Sequence, residues 1–253
     1  MTIMKPLKFI VFILSWMLSF SAAADTVQVA VASNFAQPMA RIAAAFQRDT
    51  GHQLLLSSGS SGKFYAQIIS GAPFEVFLSA DDEIPERLEK EGHALAGSRV
   101  TYAIGKLVLW SPRPGYVDSK GEVLRGGNFA RLSIANPKTA PYGAAARELM
   151  ERQGVWQTLQ ARLVQGESIA QAYQFVASGN AELGFVALSQ VRNENGESQG
   201  SMWLVPQTLY TPIRQDAVLL AKGKGKAAAG QFLAYLRSAR AAAIIQAFGY
   251  ELP

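Results

Sequence analysis

The chain has 253 residues, a formal net charge of +5 and no cysteine. The lack of cysteine excludes disulfides, thiol catalysis and thiolate metal sites. The lysines and arginines are scattered along the chain, whereas a nucleic-acid-binding surface requires them clustered on one face. The length is enough for one large domain or for two lobes of about 100 residues each.

Residues 1–24 are typical of a secretory signal peptide. Two lysines precede an uncharged apolar stretch from Phe9 to Phe20, and the small residues Ala22 and Ala24 suit a cleavage site. The apolar stretch is shorter than the roughly 20 residues that a transmembrane helix requires. We therefore expect export and cleavage before Asp25 rather than a retained anchor, and the cleavage site has no cysteine for a lipid anchor of the usual kind.

The rest of the chain alternates strand-like and helix-like runs, which favours parallel sheets in an α/β fold. The predicted strands are 27–32, 53–56, 74–79, 100–110, 132–136, 163–164, 183–188 and 216–221. The predicted helices follow the turns after most of these strands and include 63–70, 84–91, a helix through Arg152, and 228–248. Phe35, Met39, Ile42 and Phe46 recur at helical spacing and predict one apolar face of the first helix.

Two short turns rich in hydroxyl groups lie between such strands and helices: Ala32-Ser33-Asn34-Phe35 and Gly59-Ser60-Ser61-Gly62. The first turn of a helix has backbone N–H groups without carbonyl partners, and these groups bind anions readily. Ligands of α/β sheets also lie beyond the carboxyl ends of the strands, where both turns are predicted. Two such turns in one chain indicate a single oxyanion held between them.

Other interpretations of these residues fit less well. Helix capping is the structural alternative for either turn alone. A nucleotide-binding P-loop is disfavoured because Ser57 stands where the motif needs glycine and Phe64 where it needs Ser or Thr. The two histidines, His52 and His93, occupy predicted loops, and no Gly-x-Ser-x-Gly elbow is present, so an exported α/β hydrolase is a remote alternative. The acidic residues after the third strand lack spaced partner ligands for a metal ion.

Several segments together resemble the periplasmic molybdate-binding proteins of ABC importers. The most specific is the run from Gly71 to Asp81, GAPFEVFLSAD, and the likeness extends over the whole mature chain. The other matching segments are Val29–Phe35, Gly59–Lys63, Asn136–Gly143, Gly166–Ile169, Leu183–Val186 and Phe248–Tyr250.

The resemblance implies a two-lobed α/β periplasmic-binding-protein fold (type II) with a ligand cleft between the lobes. It places the first part of lobe 1 at residues 25–104, lobe 2 at 105–212 and the C-terminal part of lobe 1 at 213–253. Crossover strands would join the two lobes, which close on a tetrahedral oxyanion.

The resemblance also implies which residues bind the anion. Ser33 and Ser61 would donate hydroxyl and backbone N–H groups from lobe 1, while Tyr142 and Ile169 match turns whose backbone N–H groups face the anion from lobe 2. Ala187 stands where some members have a tyrosine that reaches the ligand. The chain thus resembles the branch in which Asn34 supplies the missing hydrogen bond.

The expected function is that of a periplasmic solute-binding protein rather than an enzyme. It would capture molybdate or tungstate without a cofactor or a directly coordinated metal ion, act as a monomer, and deliver the anion to an inner-membrane ABC permease. A site made only of neutral donors favours a fully deprotonated dianion over hydrogen phosphate, whose O–H finds no acceptor. Sulfate meets the same condition, so a receptor for sulfate or another tetrahedral oxyanion stays open.

Overall fold

A computed structural model describes residues 24–253 of the chain. The predicted signal peptide, apart from its last residue, lies outside this part. The strands of residues 24–253 are β1 (Thr26–Ala32), β2 (Gln53–Gly59), β3 (Val76–Leu78), β4 (Val100–Gly105), β5 (Leu107–Ser111), β6 (Leu132–Ala135), β7 (Leu163–Gly166), β8 (Leu183–Ala187), β9 (Ser201–Leu204) and β10 (Ile213–Leu219). The α-helices of the same part are α1 (Ala36–Thr50), α2 (Ser61–Ile69), α3 (Glu83–Lys90), α4 (Val123–Gly126), α5 (Pro141–Arg152), α6 (Trp156–Leu159), α7 (Ile169–Ala177), α8 (Leu188–Val191), α9 (Ala227–Tyr235) and α10 (Ala239–Ala247).

The strands form two five-stranded sheets. The first has the spatial order β2, β1, β3, β10, β4, and the second has the order β7, β6, β8, β5, β9. In the first sheet β2, β1 and β3 are parallel, β10 is antiparallel to β3, and β4 is antiparallel to β10. In the second sheet β7, β6 and β8 are parallel, β5 is antiparallel to β8, and β9 is antiparallel to β5. The predicted α/β fold with two lobes is confirmed, although both sheets are mixed.

Apolar residues on both faces of each sheet hold the helices in place. The predicted face of the first helix is confirmed, since Phe35, Met39, Ile42 and Phe46 are all fully buried. They pack with α9 and α10 in one cluster on the first sheet. Burying one such side chain stabilises the fold by about 1.5–3 kcal/mol.

Two predicted elements are each divided in the structure. The stretch from 100 to 110 forms β4 in the first sheet and β5 in the second, and the chain passes between the lobes at Lys106. Gly105 is required there because a Cβ would lie 2.1 Å from the Tyr142 hydroxyl oxygen. The helix predicted over 228–248 is interrupted after Tyr235, and Ser238 caps α10 by accepting a hydrogen bond from the Ala241 N–H at 3.2 Å.

The limits of several other elements differ from the prediction. Strand β2 continues through Ser57 and Ser58 to Gly59 and α2 begins at Ser61, so only Ser60 separates the strand predicted over 53–56 from the helix predicted over 63–70. Strand β10 begins at Ile213, before the predicted start at Asp216. Main-chain pairing extends both strands, since Ser57 and Ser58 lie beside β1 and Ile213 lies beside Gly105 of β4.

The described residues contain no helix that is long and apolar enough to cross a membrane.

Candidate functional site

A small cavity of about 10 Å³ lies between the lobes, at the carboxyl ends of the parallel strands. By the same measure, one buried water molecule requires about 10–15 Å³. The turns after β1, β2, β3 and β6 and the start of α7 line it, through Ala32, Ser33, Asn34, Gly59, Ser60, Ser61, Ala80, Ala140, Pro141, Tyr142 and Ile169. The five residues predicted to bind the anion, Ser33, Asn34, Ser61, Tyr142 and Ile169, therefore surround one cavity.

The two predicted serines accept hydrogen bonds from backbone N–H groups. Ser61 Oγ accepts from the Ala80 N–H at 2.9 Å, and Ser33 Oγ accepts from the Ala170 N–H at 3.3 Å. Both residues are buried. Because an acceptor position of each oxygen is occupied, each hydroxyl proton remains for an acceptor in the cavity. The serines are thus arranged to donate hydrogen bonds to an anion.

Two helices of the second lobe begin at the cavity. Pro141 is the first residue of α5 and has no N–H, so Tyr142 provides the first N–H of that helix. In α7, Ser168 caps the helix through the Gln171 N–H at 3.3 Å, while the N–H of the first residue, Ile169, has no partner within the helix. The partial positive charge of these helix starts favours an anion.

Asn34 is almost fully buried, with 2% of its surface exposed. Its Nδ2 donates to Gln215 Oε1 at 2.8 Å and to the Tyr250 hydroxyl at 3.0 Å. Its Oδ1 has no hydrogen-bond partner among the described residues. In this arrangement the amide donors that were predicted to reach the anion are directed to protein groups.

The Tyr142 side chain also contacts protein groups. Its hydroxyl accepts a hydrogen bond from Gln215 Nε2 at 3.1 Å. Burial raises the pKa of Tyr250 to about 12 and the pKa values of Tyr102 and Tyr142 well above their usual range. All three hydroxyls therefore stay protonated and neutral near the cavity.

The cavity lining contains no charged side chain. The ion pair formed by Lys63 Nζ and Glu167 Oε2, 3.0 Å apart, links the lobes nearby, but about half of each side chain is exposed. Residues 24–253 also contain no group of three or more His, Asp or Glu side chains that could hold a metal ion. The site can therefore bind a ligand only through neutral hydrogen-bond donors and helix starts.

A larger groove of about 700 Å³ adjoins the small cavity and shares Ala80, Ala140 and Pro141 with it. Its lining carries charges of both signs, including Asp82 and Arg214. At this groove the lobes are joined by the Gly62 N–H, which donates to the Thr139 carbonyl oxygen at 2.9 Å. A mixed-charge groove of this size is a poor match for one small dianion.

The sequence of residues 27–251 matches the family of bacterial extracellular solute-binding proteins. The chain belongs to this family. It is 58% identical to the molybdate-binding protein ModA of Azotobacter vinelandii over 93% of this chain and 94% of that protein. It is 53% identical to ModA of Rhodobacter capsulatus over 92% of this chain and 91% of that protein.

A solved structure of a similar protein has the same fold as this chain. The periplasmic molybdate-binding protein of Azotobacter vinelandii superposes with a TM-score of 0.88 at 46% identity, covering 90% of this chain and 99% of the other. The resemblance to periplasmic molybdate-binding proteins and the two-lobed fold are confirmed. The relatives are named as binding proteins, not as enzymes.

Two residues at the site were not predicted. Ser60 lines the cavity, is 4% exposed, and its Oγ has no partner among the described residues. Its position beside Ser61 in the predicted turn is a signal that could have identified it. Gln215 contacts both Asn34 and Tyr142, yet it lies in a strand far along the chain, and no motif distinguishes it.

Proposed function

We propose that this solute-binding protein captures molybdate in the small cavity and delivers it to an ABC importer. The single observation that carries the proposal is the convergence of the Ser33 and Ser61 hydroxyls with the starts of α5 and α7 on one uncharged cavity. The names of the relatives from Azotobacter and Rhodobacter supply the identity of the anion.

Each predicted residue has a role in this proposal. Ser33 and Ser61 donate their hydroxyl protons from the first lobe, and the Tyr142 and Ile169 N–H groups donate from the second. Asn34 donates through its side-chain amide, which requires the amide to be oriented differently from the arrangement described above. Hydrogen bonds from neutral donors to a charged acceptor are roughly twice as strong as those between neutral groups, so a dianion needs no Lys or Arg partner here.

The ligand range follows from the same donors. Tungstate offers four proton-free oxygens like molybdate, so we propose that both bind. Sulfate has the same charge and no proton, and a receptor for sulfate is the second candidate. Hydrogen phosphate should bind poorly because its O–H would face donors and lose its hydrogen bonds to water.

We also propose the cellular setting and the division of the chain. The signal peptide at 1–24 is cleaved, and the mature chain works as a monomer in the periplasm with an inner-membrane permease as its partner. Lobe 1 comprises 25–104 and 213–253, and lobe 2 comprises 105–212. The sheets support this division, since β1–β4 and β10 form one sheet and β5–β9 form the other.

Titration calorimetry of residues 25–253 with molybdate, tungstate, sulfate and phosphate tests the proposed function. We expect heat with molybdate and tungstate, and much weaker binding of phosphate. Tighter binding of sulfate than of molybdate would favour the second candidate. No heat with any of the four anions would exclude both.

A further inference from the structure

A cluster of five buried polar residues, here called the polar hub, lies beside the cavity and joins the two lobes. Its members are Asn34, Tyr102, Tyr142, Gln215 and Tyr250. Gln215 is fully buried at its centre. Its Oε1 accepts from Asn34 Nδ2 at 2.8 Å and from the Tyr102 hydroxyl at 3.0 Å, and its Nε2 donates to the Tyr142 hydroxyl at 3.1 Å.

The hub leaves one polar atom unsatisfied. Asn34 Oδ1 is buried without a partner, while Asn34 Nδ2 has two. A buried acceptor without a donor costs about 1–3 kcal/mol. The partial negative charge of Asn34 Oδ1 is also unfavourable at a cavity for a dianion, because it would repel the oxygens of the ligand.

Turning the amides of both Asn34 and Gln215 by half a turn removes this conflict. The oxygen and nitrogen of each amide exchange places, so the separations between heavy atoms are kept while donors become acceptors. Gln215 Nε2 then donates to Asn34 Oδ1, and Gln215 Oε1 accepts from the Tyr142 hydroxyl. Asn34 Nδ2 takes the place of the unsatisfied oxygen.

The tyrosines of the hub can serve either arrangement, because a hydroxyl both donates and accepts. The Tyr102 hydroxyl lies 2.9 Å from the Ser79 carbonyl oxygen and can give its proton there while accepting from Gln215. The Tyr250 hydroxyl donates to the Asn34 carbonyl oxygen at 2.9 Å. In the turned arrangement it gives this proton to Asn34 Oδ1 instead, and Ser189 Oγ, which donates at 2.8 Å, still satisfies the carbonyl oxygen. Neither amide can turn alone, because two donors or two acceptors would then face each other 2.8 Å apart.

We propose that Gln215 is a positioning residue that fixes which end of the Asn34 amide faces the anion. This inference rests on the proposed oxyanion function and deepens it. In the anion-bound protein, Gln215 donates to Asn34 Oδ1 and thereby turns Asn34 Nδ2 toward the ligand. The site then presents only donors, and it discriminates against an anion that carries a proton.

The substitution Gln215→Glu should reverse which end of the Asn34 amide faces the cavity. A carboxylate only accepts hydrogen bonds, so it holds Asn34 Nδ2 toward itself and leaves Asn34 Oδ1 at the cavity. That oxygen repels molybdate but can accept the proton of hydrogen phosphate. We expect molybdate affinity to fall at least tenfold and phosphate affinity to fall less, so that the ratio of the two affinities shifts about tenfold toward phosphate.

Calorimetry at about pH 8.5 measures this ratio cleanly, because phosphate is then mainly a dianion with one proton. Molybdate and sulfate carry the same charge without a proton, and sulfate should follow molybdate. The matched control is Gln190→Glu. Gln190 Nε2 donates to the Ile169 carbonyl oxygen at 3.1 Å and does not contact Asn34, so a carboxylate there should weaken all three anions by a similar factor.

A second variant covers the case in which Gln215→Glu does not fold. Gln215→Met keeps the length and the neutral charge of the side chain but removes the donor to Asn34 Oδ1. The Asn34 amide is then no longer held in one orientation, so we expect a ratio shift of about threefold in the same direction. An unchanged ratio in a folded Gln215→Glu, or in Gln215→Met where only that variant folds, would overturn the inference. That result would leave the proposed function intact. Failure of the native chain to bind any oxyanion would instead overturn the proposed function and this inference together.

Discussion

Ser33 Oγ accepts a hydrogen bond from the Ala170 N–H at 3.3 Å, and this bond connects the first turn of lobe 1 with the start of α7 in lobe 2. Ser33 also lines the cavity between them. One hydroxyl therefore joins the lobes as an acceptor and remains able to bind an anion as a donor. In the proposed function, lobe closure and anion binding therefore share this residue.

The first prediction concerns Ser33→Ala, which removes both functions of the hydroxyl. We expect molybdate binding to weaken by about 1–3 kcal/mol, because a buried charged acceptor loses its donor. Lobe closure should also require more anion, which small-angle scattering during a molybdate titration can follow. Calorimetry that gives the native affinity for Ser33→Ala would remove Ser33 from the site.

The second prediction concerns Ser61→Ala. Its hydroxyl is oriented by the Ala80 N–H at 2.9 Å, and this N–H also loses its partner in the variant. We expect molybdate binding to weaken by about 1–3 kcal/mol. The exposed Ser119 gives a matched control, since Ser119→Ala should retain the native affinity. Equal affinities of the two variants in calorimetry would contradict the role of Ser61.

The third prediction tests whether the site works without a charged partner. Lys63 and Glu167 pair across the cleft, but both side chains are about half exposed, and such pairs contribute roughly 0–1 kcal/mol. Lys63→Ala should therefore change molybdate affinity by less than about fivefold, with little dependence on salt concentration. A loss of a hundredfold or more, suppressed by salt, would show that Lys63 attracts the anion directly.

The fourth prediction concerns pH and stability. Burial raises the pKa of Asp81 to about 6, although the Ile84 N–H and the Ser79 hydroxyl oppose the shift. Because the folded protein retains this proton at a pH where the unfolded chain has lost it, the Asp81 contribution to stability is fully present below about pH 4 and is lost as pH rises through about 6. Asp81→Asn should be more stable than the native protein at neutral pH by roughly 1–3 kcal/mol.

Urea denaturation of both proteins across this pH range measures the effect. The stability difference between Asp81→Asn and the native protein should grow from about pH 4 to pH 7. A difference that stays constant or shrinks over this range would show that Asp81 ionises as easily in the folded state as in the unfolded chain.

The sequence predicted the local structure of the first lobe well where one signal determined it. The helical spacing of Met39, Ile42 and Phe46, together with Phe35 just before the helix, identified the buried face of α1, because a 3.6-residue repeat reflects packing against a sheet. The two serine turns followed from strand ends and helix starts. These features depend on residues that are close together along the chain.

Two features that depend on distant partners were not predicted. The run from 100 to 110 has no breaker beyond Gly105, and the close approach of Tyr142 and Gln215 that requires a glycine there comes from residues distant in the sequence. Gln215 in the polar hub is likewise an ordinary strand residue in the sequence. Its role depends on contacts with residues up to 181 positions away, as in its bond to Asn34.

A crystal structure of residues 25–253 grown with molybdate, with molybdenum located by its anomalous scattering, determines where the anion binds. We expect one molybdenum atom in the cavity, with its oxygens within hydrogen-bond distance of Ser33 Oγ, Ser61 Oγ and the N–H groups of Tyr142 and Ile169. Molybdenum in the larger groove beside Asp82 and Arg214, or an anion held by Lys or Arg side chains, would exclude the proposed site.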